Sequence, residues 1–151
     1  EYVGSDGEMH RPIMIHKAIL GSIERFLSVY IEHTEGHFPV WMAPEQVRVL
    51  TINDDVSEYV NEIERLLQEI VLMKPLKYNE LRYSIDDRNE SLGKKIKEAV
   101  RLKIPVVLIV GPKDQESRQV SLRWCSEQIS IPIDELPGWL KENQLKRSVK
   151  S

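Results

Sequence analysis

The chain has 151 residues, of which 41% are hydrophobic and 30% charged, and its formal net charge is −3. This composition is typical of a globular protein and excludes a disordered chain, while the longest apolar run, residues 104–110, is too short to cross a membrane. A single cysteine excludes an internal disulfide and favours a cytoplasmic protein. Lys and Arg number three against six acidic residues in positions 1–44, and eighteen against eighteen in positions 45–151, so overall charge does not decide for or against nucleic acid.

The first predicted elements are a strand and a helix that follows it directly. Residues 9–16 read as a strand, and from Lys17 to about Thr34 apolar residues recur at helical spacing. Gly21 falls inside this predicted helix at a cost of about 1 kcal/mol relative to alanine, which a helix accepts most readily where a ligand or another backbone approaches. Ser22 and Arg25 lie three residues apart near the helix start, an arrangement suited to phosphate.

A glycine- and proline-rich segment, residues 35–44, separates this part from alternating strands and helices. Strands are predicted at 47–52, 83–87, 104–110 and 119–124, with the third as a central strand, the fourth as an edge strand, and a turn at 111–114. Helices are predicted from Asp55, at capping-box spacing to Glu58, to about Met73, over 91–103, and from Leu136 to Leu145. The order βαβαββα predicts an α/β domain of about 100 residues with a mixed sheet flanked by helices.

The helix predicted over residues 91–103 has two contrasting sides. Its apolar side consists of Leu92, Ile96, Ala99 and Val100. The opposite side is basic and is formed by Lys94, Lys97 and Arg101, with Arg88 just ahead of the helix. Such a stripe is typical of a solvated helix face, and it also suits a phosphate backbone, which Lys and Arg neutralise without reading sequence.

The run from His10 to Phe26, His-Arg-Pro-Ile-Met-Ile-His-Lys-Ala-Ile-Leu-Gly-Ser-Ile-Glu-Arg-Phe, resembles the third signature motif of class II aminoacyl-tRNA synthetases. Its form is that of threonyl-tRNA synthetases, whose antiparallel catalytic domain would include this strand and helix. The resemblance implies that Arg25 contacts the phosphates of ATP, bound with Mg, and that Ser22 lies near the adenosine. It also implies that His16 is a zinc ligand in the intact enzyme. Because the family's other two zinc ligands lie upstream, no zinc is expected on this segment alone.

Two further strings resemble the same family. Residues 39–47 are similar to its linker, and residues 86–96 to the Asp-x-Arg-x-Glu-x-x-Gly-x-Lys-Ile string of class IIa anticodon-binding domains. The second string implies tRNA contacts from Arg88, Asn89, Glu90, Lys94, Lys97 and Arg101. Residues 113–123 align with the segment that reads the anticodon. Threonine anticodons have guanine at the middle position. The resemblance implies that Arg123 binds the O6 and N7 acceptors of this guanine, and that Asp114 or Glu116 accepts hydrogen bonds from its ring N–H groups. An ordinary charged turn is the alternative.

The resemblance divides the chain into a C-terminal piece of a catalytic domain, residues 1–38, a linker, residues 39–46, and an anticodon-binding domain, residues 47–148. The intact protein is expected to be a cytoplasmic, homodimeric enzyme that charges tRNA(Thr) with threonine in an ATP-dependent reaction. The chain starts at Glu1 rather than Met and contains neither upstream class II motif. We therefore expect it to begin inside a longer protein and to be inactive alone.

Several positions depart from the family's pattern. Lys17 and Lys97 stand where arginine is usual, and Asp114 where glutamate is. Residues 72–82 look like an insertion, and residues 124–128 replace a basic hairpin, which puts anticodon contacts from that hairpin in doubt. These departures favour, as an alternative, a non-catalytic tRNA-binding accessory module or a paralogue. A synthetase for proline, glycine or histidine is a further alternative, against which the Met-Ile-His-x-Ala-Ile-Leu-Gly-Ser string argues.

Overall fold

The computed structural model describes residues 1–70, 81–124 and 127–143. The chain divides into two compact units between His33 and Thr34. The predicted insertion at 72–82 lies outside the described residues except at its last two positions, and so does the predicted helix end at Leu145. Within the described ranges, no helix is long and apolar enough to span a membrane.

The first unit contains two short strands and one helix. Strand β1 (Tyr2–Val3) pairs antiparallel with β2 (Met9–His10), and helix α1 spans Ile23–Thr34. The predicted strand through position 16 is wrong beyond His10, because residues 11–16 adopt no regular structure. Ile13 and Ile15 are 92% and 88% exposed. A strand needs a neighbouring strand for its backbone hydrogen bonds and a surface for its apolar side chains, and the described residues offer neither here.

Helix α1 begins at Ile23, six residues later than predicted, and Ser22 is its N-cap. The Ser22 hydroxyl oxygen accepts the backbone N–H of Arg25 at 3.2 Å, and the Ser22 carbonyl accepts the first helical N–H, from Phe26, at 3.1 Å. Gly21 precedes the helix with a φ of +63°. The predicted cost of a glycine within the helix therefore does not arise, since glycine adopts this left-handed conformation without a steric penalty.

The second unit is a mixed five-stranded sheet flanked by helices, as predicted. Its elements are β3 (Val47–Thr51), α2 (Ser57–Gln68), β4 (Tyr83–Asp86), α3 (Leu92–Arg101), β5 (Val106–Val110), α4 (Pro112–Ser117), β6 (Gln119–Trp124), β7 (Glu127–Pro132) and α5 (Leu136–Asn143). The strand order is β4-β3-β5-β6-β7. Strands β4, β3 and β5 are parallel, whereas β6 and β7 are added antiparallel.

Three local predictions in this unit are wrong. The predicted turn at 111–114 is the start of α4, with Pro112 as its first residue and the Asp114 carboxylate accepting the Gly111 N–H at 3.0 Å. Strand β7 was not predicted, and because it pairs with β6, β6 is an interior strand rather than the predicted edge strand. The predicted capping box of α2 is replaced by a 3-10 turn over Asp54–Val56 that leads into the helix.

The two faces of the sheet are covered by different helices. On one face, the α2 face, β3, β5 and β6 pack against α2 and α5 through buried residues that include Val49, Leu108, Leu122, Ile63 and Leu140. On the other, the α3 face, Leu50, Val107 and Ile109 pack against Ala99 of α3. Arg123 is paired with Val107 and Ser121 with Ile109. Directly paired residues point to the same side of a sheet, so Arg123 and Ser121 belong to the α3 face.

Candidate nucleic-acid interface

Helix α3 presents the predicted basic stripe to solvent. Lys94, Lys97 and Arg101 are exposed, and together with Glu98 they line a shallow groove of about 210 Å³. Within the described part of the chain, no hydrogen bond or ion pair engages the side chains of Lys97 and Arg101. These two cations are therefore available to a phosphate group. Val100, predicted on the apolar side, is instead 52% exposed.

Lys95 is the residue of this region that the sequence analysis missed. It is 2% exposed, and its ammonium donates to the carbonyls of Thr51 and Asp86, both at 3.0 Å, and lies 3.4 Å from the Thr51 hydroxyl. Thr51 ends β3 and Asp86 ends β4, so Lys95 joins the carboxyl ends of two neighbouring strands to α3. Its spacing in the sequence could have indicated this burial, because Lys95 follows Leu92 by three residues and precedes Ala99 by four, which places it on the apolar side of the helix.

Arg88 is engaged within the protein. Its guanidinium makes two hydrogen bonds to the Asp86 carboxylate, at 2.8 and 2.7 Å, and a third to Glu98 on α3 at 2.9 Å. The hydrogen bond from Arg88 lowers the pKa of both carboxyls and raises the pKa of Arg88 itself. This Asp86–Arg88–Glu98 network fixes the loop between β4 and α3, residues 87–91. Its pairing also neutralises Glu98 in the groove, so the groove keeps a positive charge.

Removing the Arg88 guanidinium should make the unfolding free energy change less as the pH falls into the acidic range. The folded pKa of Asp86 is depressed below the unfolded value of about 3.9, so its contribution is present above that value and lost as pH falls through the folded pKa. We expect Arg88→Ala to lower the unfolding free energy at pH 7, and to lower it by less at an acidic pH at which Asp86 takes up its proton in the folded chain. Urea denaturation at both pH values measures this. Arg101→Ala is the control, and an equal loss at both pH values would contradict the prediction.

The remaining predicted residues of the loop lie at its surface. Asn89 is exposed. Glu90 forms an ion pair with Lys94, with 2.5 Å between the carboxylate oxygen and the ammonium nitrogen. This exposed pair lies one helical turn apart and contributes little to stability. It can therefore open when a phosphate competes for Lys94.

Asp114 and Glu116 have different surroundings on α4. Both carboxylate oxygens of half-buried Asp114 are engaged, one by the Gly111 N–H and the other by the Ser121 hydroxyl at 2.8 Å. Asp114 thus fixes α4 against β6, whereas the carboxylate of Glu116 is exposed. Arg123 is half-buried, and in the part of the chain that the structure describes its side chain makes no hydrogen bond or ion pair. Arg123 and Glu116 are the groups left available for a base.

The residues predicted for ATP and zinc all belong to the first unit. Arg25 and His16 are exposed, and Ser22 is the N-cap of α1. Among the described residues, no group of three or more His, Cys, Asp or Glu side chains could hold a metal ion. A catalytic zinc needs three protein ligands, so the residues present do not fit a zinc site.

The fold agrees with comparisons to known proteins. A family model described as "Anticodon binding domain" matches residues 46–143, and the chain belongs to this family. Over all of its length the chain is 43% identical to a threonine–tRNA ligase of Bdellovibrio bacteriovorus, and over 82% of its length it is 50% identical to that of Caldanaerobacter subterraneus. The predicted resemblance to threonyl-tRNA synthetases is thereby confirmed.

A solved structure gives the same result. The RNA binding domain of threonyl-tRNA synthetase from Cryptosporidium parvum is 30% identical to the chain with a TM-score of 0.70, over 85% of this chain and 30% of that one. The chain spans only about a fifth of the curated relatives' length, 22% for the Bdellovibrio protein and 18% for the Caldanaerobacter protein.

Proposed function

We propose that this chain binds the anticodon loop of tRNA(Thr) as the anticodon-binding part of a threonine–tRNA ligase. The observation that carries the proposal is the common position of three unengaged cations. Lys97 and Arg101 lie on α3, and Arg123 of β6 points to the side of the sheet that α3 covers, the α3 face. One face thereby offers both phosphate-neutralising groups and a side chain with the donor geometry that guanine requires.

The roles divide by position. The phosphate contacts are Lys94, Lys97 and Arg101, because they lie along one exposed side of a helix. Contacts of this kind position the nucleic acid and do not distinguish one base from another. Arg123 and Glu116 read the middle guanine through its O6 and N7 acceptors and its ring N–H donors. Asn89 on the exposed loop reads a neighbouring base edge, while Arg88 and Asp114 hold this surface in place.

A binding titration tests the proposal. The 151-residue chain is titrated with tRNA(Thr) and with a variant that carries another base at the middle anticodon position. We expect tighter binding to tRNA(Thr), by about 1–3 kcal/mol. Equal binding to both would overturn anticodon reading and favour the accessory module or paralogue.

The salt dependence of binding should identify the phosphate contacts. Replacing Lys97 with glutamine removes one counterion-releasing contact, so the slope of log affinity against log salt should flatten by about one unit for all tRNAs alike. Lys141→Gln on α5, which packs on the other face of the sheet, is the matched control and should leave the slope unchanged. An unchanged slope for Lys97→Gln would remove this residue from the interface.

We further propose that the intact protein is a cytoplasmic homodimer that charges tRNA(Thr) with threonine. In it, Arg25 contacts the phosphates of ATP, which is bound with Mg, and Ser22 lies near the adenosine. ATP would supply the adenylyl group that activates the threonine carboxylate, with pyrophosphate as the leaving group, and Arg25 contributes an exposed positive charge close to the N-terminus of α1. His16 would contribute to zinc only with ligands from elsewhere in the intact enzyme.

The 151-residue chain alone should show no threonine-dependent exchange between ATP and pyrophosphate. The reason is that it contains only one of the three class II motifs, so the groups that activate the carboxylate are missing. A longer protein that includes the upstream motifs is the positive control. Exchange by the isolated chain above the rate without threonine would disprove the expectation.

A further inference from the structure

A second pocket lies at the carboxyl ends of the parallel strands β3 and β4. It has a volume of about 380 Å³, which is within the range of small-molecule sites. The chain leaves β3 towards α2 on one face of the sheet, and leaves β4 towards α3 on the other. Adjacent strands whose connections leave to opposite faces create a crevice, and open α/β sheets bind ligands at such crevices. We call this crevice the strand-end pocket.

The polar lining of the strand-end pocket is rich in hydrogen-bond acceptors. It consists of Thr51, Asn53, Ser57, Asn61 and Asp87. The Asn53 amide nitrogen donates to Asp55 at 3.0 Å, while its oxygen is buried and finds no hydrogen-bond partner among the residues that the structure describes. An unpaired buried acceptor costs free energy, and a ligand with a hydrogen-bond donor would remove that cost after a rotation of this amide.

The charges of the described lining disfavour an anionic ligand. Among the described residues that line the pocket, Asp87 is the charged one and none is Lys, Arg or His. The ammonium of Lys95 reaches Thr51 from the α3 side, but it is buried and directed at two carbonyls and a hydroxyl. These three acceptors match the three donors of an ammonium, so Lys95 has none left for a ligand.

We propose that the strand-end pocket binds a nucleobase that carries an exocyclic amino group. Val60 and Ile85 supply an apolar wall for the flat face of a ring, and Asp87 with Asn53 supplies acceptors for N–H donors at its edge. A polyamine would need several carboxylates, whereas the described lining offers one. The pocket borders the loop 87–91 of the proposed anticodon surface, and only a tRNA source for the base rests on that proposed function.

Free nucleosides test the site without tRNA. Cytidine and uridine form a matched pair, because cytidine has an amino group where uridine has a carbonyl. Titrated into the 151-residue chain and followed by amide NMR, cytidine and adenosine should shift signals of residues 51–61 and 85–87, with affinities in the roughly millimolar range. No shift there, or equal binding of uridine, would overturn the proposal.

Substitutions at the rim locate the binding to this pocket. Asp87→Asn should weaken cytidine binding roughly tenfold, because an amide replaces a charged acceptor. Asn61→Ala should also weaken binding. It is a second test at an exposed position of α2, outside the loop 87–91, and it remains informative if Asp87→Asn alters the conformation of that loop. Asp134→Asn is the matched control, at an exposed aspartate outside the pocket lining. Equal weakening by the control, or no effect of either rim variant, would refute the site.

A tRNA titration then distinguishes the source of the base. If Asp87→Asn weakens tRNA(Thr) and cytidine in parallel, the site takes an unstacked base of bound tRNA. If it weakens cytidine alone, the site takes a free nucleoside. Failure of the proposed function would instead appear as weak, non-selective tRNA binding with cytidine binding intact, so the two failures are distinguishable.

Discussion

Replacing Lys95 with methionine should lower the unfolding free energy by about 2–4 kcal/mol. The ammonium is buried and supplies hydrogen bonds to the last carbonyls of β3 and β4. Methionine fills a similar volume but donates nothing, so two buried carbonyls lose a partner, each at a cost of about 1–3 kcal/mol. The carboxyl ends of both strands should loosen together with the loop 87–91.

Urea denaturation followed by tryptophan fluorescence measures this loss. The chain's three tryptophans, Trp41, Trp124 and Trp139, all belong to the second unit, and the rings of Trp124 and Trp139 are 5.3 Å apart in an edge-to-face contact. The signal therefore reports on the unit that contains Lys95. Lys97→Met, an exposed neighbour on the same helix, is the matched control and should change stability by less than about 0.5 kcal/mol. Equal effects of the two changes would show that the Lys95 hydrogen bonds contribute no net stability.

Replacing Arg123 with alanine should weaken binding to tRNA(Thr) by about 1–3 kcal/mol, which is roughly 5- to 150-fold. The loss should fall chiefly on anticodons with a central guanine, since the guanidinium matches the O6 and N7 acceptors of that base. Stability should be little affected, because within the described residues the Arg123 side chain makes no hydrogen bond or ion pair.

The measurement is a titration of both proteins against tRNA(Thr) and a variant with another middle base. Arg118→Ala is the matched control, because the exposed Arg118 side chain pairs with Glu62 of α2 at 2.7 Å, away from the α3 face. It should leave the preference intact. If Arg123→Ala weakens binding to both tRNAs equally, Arg123 acts as a phosphate contact and does not read the base.

Local periodicity was sufficient to predict most elements of the second unit. A helix was predicted from Asp55 onward, and Tyr59, Val60, Ile63 and Leu67, which recur at helical spacing on one side of α2, are buried. The uniformly apolar run in β5 predicted a strand covered on both faces. Both predictions succeeded because burial on one side of a helix or both sides of a strand leaves a pattern in adjacent residues. The contiguous motifs likewise predicted the family.

The sequence by itself determined the fold class, the family and the composition of the basic stripe, since these depend on residues near one another in the chain. Only the tertiary structure decided which charged groups remain available. Arg88 and Asp114 are engaged by partners on other elements, while Arg123 is not. The buried position of Lys95, the interior position of β6 and the strand-end pocket also depend on elements distant in sequence. Pairing and burial between such elements follow from strand order and helix packing, which no local pattern encodes.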